Sequence, residues 1–108
     1  MTGEIVLNCL LAASANYNVP PVVLYSIMLV EGGKNGEVSK NTNNTYDLGI
    51  MQINTLWLPE LAEHWKLTPT ETAFAIVNDP CTNFNVAAWI LKNIQSFSYC
   101  RESFINSI

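Results

Sequence analysis

Positive charge is scarce in this chain. Five Lys and Arg stand against nine Asp and Glu among 108 residues, a net charge of -4. Phosphate backbones and anionic membrane surfaces are gripped by clustered cations, so this composition argues against nucleic acid and against an anionic membrane as partners. Long apolar runs are missing too. Stretches such as VVLYSIMLV at 22–30 fall short of the roughly 20 residues that cross a bilayer, and no membrane insertion is expected. His64 is the one histidine, and Cys9, Cys81 and Cys100 are separated by 72 and 19 residues. That gives no zinc-ligand spacing, and no structural metal is expected. The opening MTGEIVLN carries Glu4 where a secretory signal has a positive region. This leaves two readings, a cytosolic protein or a mature domain beginning at Met1.

What the chain has instead is apolar weight. At 49% hydrophobic and 13% charged, residues 1–108 read as one domain with one core, folding alone and as a monomer. Three cysteines permit at most one intramolecular disulfide. Across the 72-residue interval such a bond would contribute roughly 4 kcal/mol in the chain-entropy model. Three reduced thiols in a cytosolic protein are the equal alternative, and composition does not choose.

Taken in order, the chain predicts capped helices. Ile5, Cys9, Ala13 and Tyr17 form an i, i+4 stripe over residues 4–17. Asn18 and Pro20-Pro21 break it, Pro21 opens a second helix through VVLYSIMLVE, and Gly32-Gly33 ends that helix. Lys34 to Asn44 reads as a polar surface loop. Residues 45–53 alternate enough for a short strand or hairpin arm, although IMQI would also open a helix. Asn54 is placed to cap the next turn, and Pro59 restarts a helix. Thr68-Pro69-Thr70-Glu71 is a capping box, and Asp79-Pro80 launches the longest helix. That helix, with Phe84, Ala88, Leu91 and Gln95 on one side and Val86, Trp89 and Ile90 on another, is apolar nearly all round, as befits the centre of a small helical domain.

The stretch from Glu31 to Trp57 carries the chemistry. It sets two acids, Glu31 and Asp47, sixteen positions apart across a segment rich in amides and hydroxyls. Sugar cleavage calls for one acid kept protonated by its surroundings, a second acid nearby, and neutral groups to grip hydroxyls. Glu31 ends an apolar helix, where unpaired carbonyls and apolar neighbours both disfavour its charge and raise its pKa, as a general acid requires. The plain alternative is a solvated acid at a frayed helix end. Asn41, Asn43 and Asn44 read as turn formers.

Glu31 with its two following glycines, then NTNNTYDLGIMQINTLWL, then DPCTNFNVAAWILKNI, together resemble the lysozyme-like lytic transglycosylases that accompany bacterial secretion and conjugation machines. In that family E-S/G-G, D-x-G-L/I-M-Q-I-N and D-P-C-x-N recur in this order. The blocks span residues 28–94, and the first helix with Cys9 looks like the family's start. The resemblance implies a mainly α, lysozyme-like (α+β) fold with a small β-hairpin or loop region around residues 43–53. It also implies a periplasmic or envelope location and cleavage of peptidoglycan glycan strands, with secretion or conjugation components as partners.

By position, Glu31 matches the family's catalytic acid, and Cys9 and Cys81 match a pair commonly bonded, leaving Cys100 free. The implied reaction protonates the bond between N-acetylmuramic acid and N-acetylglucosamine and closes a 1,6-anhydro ring with help from the substrate's acetamido group, with no metal or organic cofactor needed. Asp47 also matches the second carboxylate of animal-type lysozymes, so hydrolysis through Glu31 and Asp47 is the alternative. Gln52, Asn54 and Trp57 are expected to border the groove, with structural alternatives as a loop tie, an N-cap and a core ring; Met51 is expected to be structural. The family's tyrosine in an A-Y-N-x-G segment has no match in this chain, and Tyr99 and Tyr46 are its nearest candidates. Two non-enzymatic readings stand beside these, a glycan-binding assembly module and a structural plug or inhibitor partner.

Overall fold

The computed structural model describes residues 3–95. The described residues form five α-helices, α1 (Gly3–Tyr17), α2 (Pro21–Glu31), α3 (Leu58–Trp65), α4 (Pro69–Asn78) and α5 (Pro80–Gln95), and a small sheet, β1 (Val38–Lys40), β2 (Tyr46–Leu48) and β3 (Ile53–Asn54), packed against α4 and α5. The capping signals act as expected. Pro21 opens α2, and the Glu71 N–H donates to Thr68 Oγ1 (3.1 Å) while the Thr68 N–H donates to Glu71 Oε1 (3.0 Å). Asp79 Oδ1 accepts from the Cys81 and Thr82 N–H groups at the head of α5.

The core gathers on α5. Phe84, Val86, Ala87, Ala88, Ile90 and Leu91 are all buried, and the helix packs against α1, α2, α4 and β3. This is why its sequence is apolar on nearly every face. Along α1 the buried face is Cys9, Leu10, Ala13 and Ser14 with Val6 packed beside it, while Ile5 is exposed. A stripe of i+4 steps alone drifts off the core face, which follows i, i+3, i+4, i+7. The Cys9–Cys81 disulfide ties α1 to the start of α5, with Cα atoms 4.5 Å apart.

The sheet departs from the expected boundaries. All pairing is antiparallel in the order β1-β2-β3, with Ser39 opposite Asp47 and Asp47 opposite Asn54. β1 lies inside the segment expected to be loop. Its three residues run exposed, half-buried, exposed, too short a pattern to show in sequence; pairing with β2 creates it. The hairpin tip between β1 and β2 is fixed locally. Thr45 donates to Asn43 Oδ1 through its N–H (3.2 Å) and its hydroxyl (2.6 Å), and Asn44 takes a left-handed backbone (φ 66°). Among the described residues no helix is long and apolar enough to cross a membrane.

Candidate active site

The site is built where α2 stops. Gly32 adopts φ 63° and its N–H caps the Met28 carbonyl at 3.0 Å, so the helix ends with Glu31 on its last turn. Gly33 has a different task. A Cβ there would run into the Gly49 carbonyl and lie 2.7 Å from the Ile50 carbonyl oxygen and 2.8 Å from Gln52 Nε2. Only glycine lets the end of α2 dock this closely on the turn between β2 and β3.

That turn is held from behind. Gly49 (φ 70°) and Gln52 (φ 51°) both take left-handed backbones, and Gly49 O accepts from both the Gln52 N–H (3.1 Å) and Gln52 Nε2 (2.9 Å). Asn83, 1% exposed on α5, accepts from the Met51 N–H through Oδ1 (2.8 Å) and donates through Nδ2 to the Leu48 carbonyl (2.8 Å) and the Ile76 carbonyl (2.9 Å). A side chain on Gly49 would collide with this amide. The turn thus rests on a buried polar clamp in a mainly apolar core.

Between α2, this turn and α5 lies a cavity of about 150 Å³ lined by Ile27, Glu31, Gln52, Asn54, Trp57 and Leu91, among others. Burial raises the Glu31 carboxyl above its ordinary pKa, and the negative charge of Asp47 adds to the rise. Among the described residues nothing hydrogen-bonds that carboxyl. It is therefore a partly buried acid, biased toward its protonated form, on the wall of a concave site. Among the described residues no cluster of His, Cys, Asp and Glu is arranged to hold a metal.

The other expected site residues divide. Gln52 and Asn54 line the cavity, and both also serve structure. Gln52 ties its own turn, while Asn54 accepts from the Leu56 N–H (2.9 Å) to cap the 3-10 turn Thr55–Trp57 and donates through Nδ2 to Asp47 Oδ1 (3.1 Å) and Thr45 Oγ1 (3.1 Å). Trp57 is half-buried; its ring meets Trp89 edge-on at 5.8 Å and borders the cavity. Met51 is buried in the core and lines the same space. Asp47 reaches Glu31 through its charge and is not part of the lining. Tyr46, one residue earlier on β2, lies in a separate groove with Val38, Leu48, Phe74 and Val77, because neighbouring strand residues face opposite ways. Tyr99 lies outside the described residues. Sequence reasoning took Gly33 as part of a helix stop and Asn83 as the end of the D-P-C-x-N block, and assigned neither a role at the site. Their signals were a second glycine beyond what a helix cap needs and an asparagine within an apolar helix.

The sequence profile described as "Transglycosylase SLT domain" matches residues 8–101 of this chain. The chain belongs to the SLT transglycosylase family. Membership of the SLT family accounts for the architecture, mainly helical and lysozyme-like with a small antiparallel sheet beside the cavity. This SLT chain is also similar to "Invasion protein IagB" of Salmonella typhimurium (strain SL1344), 32% identical over 88 residues, which cover 81% of this chain and 52% of the relative. The IagB protein of Salmonella typhi matches with the same identity and coverage. A "Peptidoglycan-binding-like protein" of Escherichia coli O157:H7 is 28% identical over 99 residues, 85% of this chain and 56% of the relative. The SLT chain spans about half the length of these curated relatives.

Proposed function

We propose that this SLT domain is a peptidoglycan lytic transglycosylase that cleaves the β-1,4 bond between N-acetylmuramic acid and N-acetylglucosamine, with Glu31 as acid and then base. The observation that carries the reading is the Glu31 carboxyl itself, partly buried on the cavity wall, free of hydrogen bonds among the described residues and raised in pKa. Protonated Glu31 gives its proton to the glycosidic oxygen as the bond to C1 of the muramic sugar breaks. The substrate's own acetamido oxygen covers C1 as positive charge develops there. The C6 hydroxyl then bonds to C1, displacing that oxygen and returning its proton to Glu31, and a 1,6-anhydro ring results.

Trp57 offers a ring face to a sugar. The oxygen of the Gln52 amide is left to accept a substrate hydroxyl, since only its nitrogen is engaged among the described residues. Asn54 is committed to Asp47, Thr45 and Leu56, so it orders the wall more than it grips substrate. Asp47 acts on Glu31 at a distance by charge, which also gives the second reading, a lysozyme-type hydrolase with Asp47 as its second carboxylate, its one specific support. A role in opening the wall for a secretion or conjugation apparatus at the cell envelope is supported by the order of the three motif blocks and by the similarity to a protein named for invasion.

Incubation of purified peptidoglycan with the protein and with Glu31→Gln tests the assignment. Soluble muropeptides are expected from the first and none above background from the folded variant. An active Gln variant would end the hypothesis.

A further inference from the structure

The most thoroughly bonded buried polar group among the described residues is the Asn83 amide, and it touches no substrate-facing surface. Its carboxamide satisfies three main-chain groups from two elements, the Met51 N–H and Leu48 carbonyl at the β2–β3 turn and the Ile76 carbonyl of α4. It does so in space that Gly49 leaves open by having no side chain. On its other side the same turn meets Gly33 through the Gly49 and Ile50 carbonyls and Gln52 Nε2. A continuous stack therefore runs from α5 through the turn to the end of α2, where Glu31 stands.

We propose that Asn83 is a positioning residue of the reaction: through the Gly49–Gln52 turn it fixes the wall formed by Met51 and Gln52 against the Glu31 carboxyl. This rests on the reading of Glu31 as the acid. An apolar residue at 83 would fill the core and still leave three backbone groups without partners, at a cost of roughly 1–3 kcal/mol each. To recover them the turn would shift outward and leave Glu31 more exposed to water. Displacements of about 1 Å at a catalytic group reduce rates by roughly 100-fold.

The test compares Asn83→Ala with Leu61→Ala. Leu61 is buried on α3 and lines no part of the cavity, so its loss of packing serves as a control for lowered stability alone. For Asn83→Ala a fall in kcat of about 100-fold is expected, with a smaller change in KM. The Glu31 carboxyl, followed by 13C NMR titration, should move toward the ordinary value of 4.5. Leu61→Ala, assayed well below its own melting temperature, should change neither the titration nor the kcat by more than a few-fold.

The NMR titration requires no turnover. An inactive wild-type protein would remove the proposed function while leaving the positioning claim open to measurement. An Asn83→Ala protein whose Glu31 titrates as in wild type would overturn the positioning claim. Should Asn83→Ala fail to fold, hydrogen exchange on the wild-type protein decides. The Met51 amide should exchange only with global unfolding, and exchange as fast as that of the hairpin-tip amide of Thr45 would overturn the clamp.

Discussion

The end of α2 and the sheet beside it each contribute one carboxyl to the same electrostatic pair, and they hold it by different means. Glu31 is placed by backbone: a left-handed glycine stops its helix, a second glycine lets that end seat on the turn, and no donor is spent on the acid. Asp47 is placed by the sheet and by a side chain: its strand is paired on both edges and Asn54 Nδ2 donates to it from β3. An acid without donors in partly apolar surroundings is biased toward its protonated form, and the charge of Asp47 adds to that bias. One residue thus stands on the cavity wall and the other acts on it from outside the lining, although the two have nearly the same chemistry.

The contrast between the two acids breaks most severely at Glu31. Glu31→Gln keeps shape and removes the proton, and loss of about 10²–10⁴-fold or more in turnover of purified peptidoglycan is expected. The next largest effect should come from Gly33→Ala. Its methyl group meets backbone oxygens of the turn, which cannot rotate away, so the end of α2 must move; roughly 100-fold in kcat and about 1–3 kcal/mol of stability should be lost. Denaturant unfolding together with the assay measures both.

Asp47→Asn sharpens the contrast more gently. The amide oxygen can still accept from Asn54, so geometry is retained while the charge is lost. The Glu31 pKa should fall, moving the alkaline limb of the pH–rate profile to lower pH, and the rate near neutrality should drop with it. An unmoved limb would show that Asp47 exerts no electrostatic hold on Glu31.

The smallest effect is on stability. The folded protein keeps the Glu31 proton to higher pH than the unfolded chain, in which the group titrates near 4.5. Ionising Glu31 therefore costs folding stability progressively as pH rises from about that value through the raised folded pKa. Glu31→Gln escapes this cost. Relative to wild type, its melting temperature should improve slightly between acid and neutral pH, the gain being limited because solvent screens a partly exposed group. A constant difference across that range would contradict the raised pKa.

Much of this arrangement was legible from residues alone. Pro21, the Thr68–Glu71 box and Asp79 set helix starts by local chemistry, and Gly32 set the end of α2, so sequence suffices to read them. The disulfide came from the resemblance, since three cysteines alone leave the pairing open, and the structure contains it. β1 was hidden because three residues carry no usable period. Gly33 and Asn83 stand in the recognised motif blocks, but their roles at the site were hidden because their partners lie 16 and more positions away or on another element. Tyr46 was a candidate for the family's missing tyrosine, but alternation along β2 turns it to the other groove.

The most direct measurement on the central claim is the mass of the muropeptides released from purified peptidoglycan. A site in which Glu31 works as a single acid and base, with Asp47 contributing only charge, should release 1,6-anhydromuramic ends, lighter by one water than hydrolysed ones. A digest containing only reducing ends would contradict this account, because Asp47 or an activated water would then be doing what the substrate's acetamido and C6 hydroxyl groups are expected to do.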